Sequence, residues 1–169
     1  MKSLQKIKGE NSLFLLLLMM VLFAPWSANA QKSLPYSYGF ENNDLATEGW
    51  TKTTGGINTN AAHEGSYGFK FSYNGGYLMS PLLTGTDNGV ELTFYYTENT
   101  TSYGEGQFQV GYSTDESATD PSAFTYGDKV FVSSTSWIRY EILLPEGTKY
   151  VAINRIAYYG DYIYIDDLS

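Results

Sequence analysis

The sequence contains no cysteine and only one histidine among its 169 residues. Without cysteine the chain forms no disulfide, binds no zinc through thiolates and has no thiol nucleophile. A Ser-His-acid triad would have to use His63, but no serine lies in a Gly-x-Ser-x-Gly motif. The surrounding segment, "NAAHEGSYG", is short and polar. We therefore expect His63 to be a surface or loop residue.

Other catalytic signatures are equally scarce. A catalytic zinc centre would need more ligands than one histidine, and no glycine-rich phosphate loop precedes a helical segment. Acidic residues are numerous enough for a glycosidase pair, yet no motif singles out two of them. We expect that the protein is not an enzyme, and a hydrolase is the least favoured alternative.

The sequence has a single clear hydrophobic run, Leu13–Phe23, of 11 residues. A membrane-spanning helix needs about 20. Three lysines precede the run, and Ala28-Asn29-Ala30 follows it as a small-residue cleavage motif. This order predicts a secretory signal peptide over residues 1–30, cleaved before Gln31, with an uncleaved anchor as the alternative. We expect a secreted or cell-surface protein of a Gram-negative bacterium, with no membrane span after cleavage.

Basic residues are few in the remaining part, residues 31–169, which has the length of one domain. Without the three lysines and one glutamate of the signal segment, 7 basic and 17 acidic residues remain, a net charge of −10. Such a surface repels nucleic acid and anionic lipid, because it cannot replace their counterions. It suits a soluble exported domain or one that binds cations.

Period-two alternation of apolar and polar residues recurs along the chain and indicates antiparallel sheets packed on one face. The clearest segments are "VELTFYYT", "GQFQVGYS", "WIRYEILLP" and "KYVAINRIAYY". Turn residues separate these and five further candidate strands, Tyr36–Glu41, Tyr67–Ser72, Tyr77–Ser80, Lys129–Val132 and Tyr162–Leu168. About nine short strands predict an all-β fold, a two-sheet antiparallel sandwich.

A series of short motifs carries a resemblance to a known family. In order they are "YGFENN", "GWTK", "HEGSYGFKF", "YLMSPLL", "VELTFYY", "GQFQVGYSTDESATDPSAF", "SSTSWIRYEILLPEGTKYVAI" and "YIYIDDLS". The set resembles the cleaved-adhesin modules of gingipain-type haemagglutinins and other surface proteins of Bacteroidetes-like bacteria. It is more distantly similar to MAM domains and jelly-roll carbohydrate-binding modules. The resemblance implies a galactose-binding-like jelly roll with an adhesive or ligand-binding role.

The resemblance also implies a structural calcium that joins the beginning of the domain to its end. In such jelly rolls the first strand carries an acid after an aromatic residue, here Glu41, and the last carries "IDD", here Asp166 and Asp167. The loop "HEGSYG", which contains Glu64, passes close to both. Calcium takes about six to eight oxygen ligands. The implied metal ligands are Glu41, Glu64, Asp166 and Asp167.

The two adjacent aspartates cannot both face one ion in a regular strand, because their side chains point to opposite faces. Both would reach it only across a bulge. Similarity to the carbohydrate-binding jelly rolls favours Asp166 as the ligand. From spacing alone, the alternative is that both acids simply end a strand at the surface.

Tyrosine is abundant, with 16 residues, and exposed rings suit stacking on sugars or on another protein. The alternative is that tyrosine is simply a good strand residue. Trp50 and Trp137 match core-edge positions of the family pattern, so we expect them to be structural. The candidate ligand-binding residues, in loops and in the last hairpin, are Tyr103, Tyr126, Tyr158, Tyr159 and Tyr162.

These observations predict a secreted, non-catalytic adhesion module for a glycan or a host surface or matrix protein. The sequence ends two residues after Asp167, directly after the last predicted strand. That ending favours a second interpretation, in which the chain is a truncated accessory domain of a larger surface protein or exported enzyme and acts beside further modules of the same polypeptide.

Overall fold

Thirteen strands form within the parts of the chain that the computed structural model describes, residues 30–156 and 160–169. Apart from Ala30, the predicted signal peptide lies outside the described residues, as do Tyr158 and Tyr159. The strands are β1 (Gln31–Ser33), β2 (Thr51–Lys52), β3 (Gly56–Asn58), β4 (Gly68–Phe71), β5 (Gly76–Met79), β6 (Leu82–Thr84), β7 (Val90–Glu98), β8 (Gly106–Ser113), β9 (Thr125–Tyr126), β10 (Val130–Val132), β11 (Ile138–Leu144), β12 (Tyr150–Arg155) and β13 (Ile163–Asp166).

Helical structure is confined to single turns in the described residues. The helix α1 covers Leu45–Glu48, and two 3₁₀ turns cover Thr59–Ala61 and Pro121–Ala123. Asp44 caps α1 by accepting hydrogen bonds from the next turn, and Gly49 ends it with a φ of 84°. Within residues 30–156 and 160–169, no helix has the length and apolar character needed to cross a bilayer.

Two antiparallel sheets make up the body of the fold. One has the order β11-β7-β13-β4-β3, and the other has β10-β8-β12-β5-β2 with β9 also paired to β8. The last strand, β13, therefore lies in the middle of its sheet, between β7 and β4. A short parallel pair, β1 with β6, stands apart from both sheets. The predicted all-β, two-sheet jelly-roll sandwich is confirmed.

The core fills the space between the sheets and follows the predicted alternation. Phe94 on β7, Phe108 on β8 and Ile153 on β12 are at most 1% exposed. The opposite face of β12 is also partly covered, because Ala152 is buried with Met79, Phe124 and Tyr150 in a second cluster. Rings from the two sheets meet directly, since the centroids of Phe94 and Phe108 are 5.8 Å apart. A stack of Tyr38 and Trp50 extends this core, so the structural role predicted for Trp50 is confirmed.

The predicted first strand, Tyr36–Glu41, does not form. Of its residues only Tyr38 forms a β-bridge, with Leu168, which also lies outside the named strands. Phe40 has a φ of 61° and Asn43 a φ of 52°, and these left-handed residues turn the chain away from the sheet. The ring of Phe40 is nevertheless fully buried in the core, on the side that the alternation predicts.

Gly68 of β4 lies directly under the 3₁₀ turn that leads to the "HEGSYG" loop. A Cβ on Gly68 would overlap the carbonyl oxygen of Ala61, a main-chain atom that cannot rotate away. We expect Gly68→Ala to lower the free energy of unfolding by about 3 kcal/mol, as overpacking does in other cores. Urea denaturation followed by tryptophan fluorescence measures this change.

Gly56 on the neighbouring strand provides the matched control, because a Cβ there meets no atom within 4 Å. Gly56→Ala should leave stability unchanged or raise it by about 0.5 kcal/mol, since alanine loses less backbone entropy than glycine. Equal destabilisation by the two substitutions would contradict the close approach at Gly68.

Candidate functional site

The beginning and the end of the domain meet where the central strand β13 of the five-stranded sheet ends, at a site that we call the closing edge. Tyr38 and Leu168 exchange two backbone hydrogen bonds of 2.8 and 3.1 Å, and Ser169 exchanges two more with Thr93. The loop His63–Tyr67 packs against the same edge. The juxtaposition implied by the resemblance is therefore present, although the first segment contributes a single bridge and not a strand.

Asp166 is the buried centre of this edge, with no exposed surface. Its Oδ2 accepts hydrogen bonds from the backbone N–H of His63 at 2.7 Å and of Glu64 at 3.3 Å. Its Oδ1 accepts a bond from the N–H of Asp167 at 2.8 Å. Burial raises the pKa of Asp166 to about 6, although these donors favour the ionised form. The interpretation of Asp166 as a surface acid at a strand end is wrong.

Asp167 does not continue the alternation of β13. Its φ of 51° places it in the left-handed region, and this turn brings its carboxylate to the same loop that Asp166 contacts. Its Oδ2 lies 2.6 Å from Nδ1 of His63. The two acids therefore do not point to opposite faces, because the strand ends between them.

His63 lies in a loop, as expected, but its side chain is half-buried at this edge. Its ring stacks on Tyr95 with centroids 3.9 Å apart and meets the edge of Trp137 at 5.2 Å. Trp137 therefore packs in this outer cluster, whereas Trp50 packs in the core. The resemblance implied that this loop lies near the two aspartates, but no sequence pattern indicated the contact of His63 with Asp167, 104 positions away.

Glu41 lies on the other side of the loop and is exposed. Its carboxylate accepts hydrogen bonds from the N–H of Ser66 at 2.9 Å and of Tyr67 at 2.8 Å. Gly65 makes this approach possible, because its φ is 67° and a Cβ there would crowd the Glu41 carboxylate. Glu41 thus anchors the loop to the first segment.

The donor atoms at this edge fit the implied calcium only in part. Ligand atoms of His63, Glu64 and Asp167 lie within 4.8 Å of one another. Asp166 and Glu41, in contrast, direct their oxygens to backbone N–H groups. Glu64 and Asp167 are therefore the two predicted ligands with carboxylates close enough to share an ion. Further oxygens would have to come from the backbone or from water.

The three predicted ligand-binding tyrosines within the described residues, Tyr103, Tyr126 and Tyr162, lie in different surroundings. Tyr103 is 73% exposed in the loop after β7. Tyr162 packs under the ammonium group of Lys70, 3.4 Å from its ring centroid, and against Tyr73. Tyr126 lies in β9 and not in a loop. Its hydroxyl donates to the carbonyl of Pro121, and burial raises its pKa to about 12.

Solved structures of adhesin and carbohydrate-binding modules share this fold. The K1 cleaved adhesin domain of Lys-gingipain from Porphyromonas gingivalis W83 is 21% identical, with a TM-score of 0.69 over 79% of this chain and 95% of that domain. A family 61 carbohydrate-binding module in complex with β-1,4-galactotriose is 18% identical, with a TM-score of 0.54 over 77% and 91% of the two chains.

A xylan-binding module of family 22 from Paenibacillus barcinonensis Xyn10C is 15% identical, with a TM-score of 0.52 over 79% of this chain and 90% of that one. This chain has the jelly-roll fold of these modules. No protein-family model and no curated protein matches it. The likeness predicted from the motifs is therefore confirmed at the level of the fold.

Asp166 should contribute strongly to stability, because its removal would leave three backbone N–H groups without their acceptor. Each unsatisfied buried donor costs about 1–3 kcal/mol. We expect Asp166→Ala to lower the free energy of unfolding by about 3 kcal/mol, measured by urea denaturation in the presence of chelator. Asp128→Ala, which removes an exposed aspartate, is the control and should change stability by less than about 0.5 kcal/mol. Similar values for the two variants would contradict the role of Asp166.

Proposed function

We propose that the protein is an exported, non-catalytic binding module whose ligand is a glycan. The observation that carries this proposal is its fold, which is shared with an adhesin domain and with two modules whose known ligands are β-1,4-galactotriose and xylan. The signal-like segment over residues 1–30 supports export to the cell surface or beyond it.

The surroundings of His63 support the non-catalytic role. The ring is engaged by Asp167 and stacks on Tyr95. In residues 30–156 and 160–169, no serine or threonine hydroxyl is hydrogen-bonded to it. A histidine–aspartate pair without a nucleophile lacks the first element of a hydrolytic triad.

The glycan proposal is tested by screening the purified protein against a panel of polysaccharides and extracellular matrix proteins. We expect saturable binding to at least one glycan, with a dissociation constant between about 1 μM and 1 mM, because a sandwich face presents a shallow contact area. Bovine serum albumin on the same surface is the control. Binding to a matrix protein alone would replace the glycan proposal with protein adhesion.

We also propose that calcium binds at the closing edge through Glu64 and Asp167. The closeness of their ligand atoms and the net charge of −10 in residues 31–169 support a cation there. His63 would have to yield its contact with Asp167 to the ion. The bound ion would add a stabilising link between the last strand and the loop before β4.

Calcium should raise the midpoint of thermal unfolding, because a ligand that binds only the folded state stabilises it. At ten times its dissociation constant the gain is about 1.4 kcal/mol, or roughly 4 °C for a domain of this size. Scanning fluorimetry with calcium, with magnesium and with chelator measures the shift. Glu64→Gln with Asp167→Asn should abolish it.

Glu146→Gln, which removes an exposed acid of a distant turn, should retain the calcium shift. A shift that magnesium reproduces, or that survives in the double variant, would contradict binding at the closing edge. With no shift at all, the edge is held by hydrogen bonds alone.

A further inference from the structure

The outer face of the six-stranded sheet carries three side-chain amides on two adjacent strands. Phe108 and Val110 of β8 face the core, so Gln107 and Gln109 point outward. On β12, Asn154 points outward for the same reason and lies directly opposite Gln109. We call Gln107, Gln109 and Asn154 the amide cluster. The amide cluster is separate from the closing edge, which lies on the other sheet.

The amides retain hydrogen-bonding capacity. Within the described residues, the only hydrogen bond of the three side chains is from Nε2 of Gln109 to the carbonyl of Gly127, at 2.8 Å. This bond fixes the direction of Gln109 and leaves its Oε1 free to accept. Each amide offers both donors and acceptors, the combination that a sugar hydroxyl requires. All three side chains are half-buried, so they are partly held in place by their neighbours.

Tyrosine rings border the amide cluster. Tyr77 of β5 lies opposite Asn154, so Gln109, Asn154 and Tyr77 form one row across three strands, roughly 10 Å wide. The ring of Tyr126 on β9 packs against Gly111 of the neighbouring strand β8. A Cβ on Gly111 would lie 2.6 Å from ring carbon Cδ1 of Tyr126. The glycine thus leaves room for this ring beside Gln109. Such rings offer an apolar face to the C–H groups of a sugar.

The chemistry of this row favours a neutral ligand. Gln109, Asn154 and Tyr77 carry no formal charge, and residues 31–169 have a net charge of −10. An anionic chain would be repelled by the whole domain and would find no guanidinium or ammonium partner in the row. A protein partner would need a larger exposed apolar patch, whereas the apolar cluster that Tyr77 and Tyr126 pack against, Met79, Phe124, Tyr150 and Ala152, is itself buried.

We propose that the amide cluster, with Tyr77 and Tyr126, binds a neutral glycan chain that lies across β8, β12 and β5. The inference rests on the proposed function and names the face and the class of ligand for it. Hydroxyl groups of the chain bond to Gln109 and Asn154, and its sugar rings pack against the two tyrosines. This assigns a binding role to Tyr126 through the face of its ring and not through its hydroxyl, which is bonded to Pro121.

The test is isothermal titration of the purified protein with β-1,4-galactan, β-1,4-xylan and the anionic chain polygalacturonate. We expect a neutral chain to bind, and Gln109→Ala and Asn154→Ala each to weaken that binding at least tenfold. Asn154→Asp keeps the shape of the side chain but removes its donors, and it should weaken binding similarly. Asn88→Ala, which changes an exposed asparagine of a turn, should bind as the unchanged protein does.

The outcomes separate this inference from the proposed function. If a neutral chain binds and the Gln109 and Asn154 variants, shown to be folded by circular dichroism, bind it equally well, the proposed function stands and the amide cluster is excluded. Binding of polygalacturonate alone would also overturn the inference. If none of the three chains binds and the wider panel contains no glycan ligand, the proposed function fails together with the inference.

Discussion

The closing edge of this sandwich depends on the buried carboxylate of Asp166. It accepts backbone hydrogen bonds from His63 and Glu64 on one side and from Asp167 on the other. A carboxylate without exposed surface is tolerated only where such donors replace water. The requirement fixes the loop before β4 against the last strand. It also brings His63 to Asp167, so the candidate cation site exists because this carboxylate is satisfied.

Buried polar groups hold β13 at its other end as well. Glu98 pairs with Ile163, the first residue of β13, and is 1% exposed, with Oε1 accepting from the N–H of Gly106 at 2.8 Å. Burial raises the pKa of Glu98. Arg155 is equally buried and donates to the carbonyl of Asp161 at 3.0 Å. The strand is therefore anchored by hydrogen bonds before and after its apolar centre, which favours one register for a four-residue strand.

The two sheets divide the work of the domain. The outer face of the five-stranded sheet carries the closing edge, where acids, a histidine and backbone amides satisfy one another. The outer face of the six-stranded sheet carries amides that remain largely unpaired within the described residues. Groups that are already satisfied contribute to stability, whereas unpaired and half-buried groups are available to a ligand. This difference in hydrogen bonding, more than the number of aromatic residues, distinguishes the binding face proposed here.

The long central strands were predictable because each repeats the alternation several times. The pattern "GQFQVGYS" coincides with β8, and the residues predicted to face inward on β7 and β12 are buried. Tyr150, Ala152 and Arg155 of β12 are buried as well, which the alternation does not predict. The two- and three-residue strands β1, β2, β3, β6 and β9 were missed, since so few residues carry no recognisable period. The segment Tyr36–Glu41 was predicted as a strand because it alternates. Phe40 adopts a left-handed conformation instead, because the chain turns there while its ring is buried in the core.

The sequence by itself determined the sandwich, the inward-facing residues of its long strands and the kinds of acid that end the chain. These properties are local, because they follow from side-chain type and period along a few residues. Only the tertiary structure decided that Asp166 would be buried, that Asp167 would turn toward His63 and that Gln109 would lie opposite Asn154. Such contacts join residues that are 45 to 104 positions apart. The pairing of whole strands sets them, and no pattern within one strand encodes them.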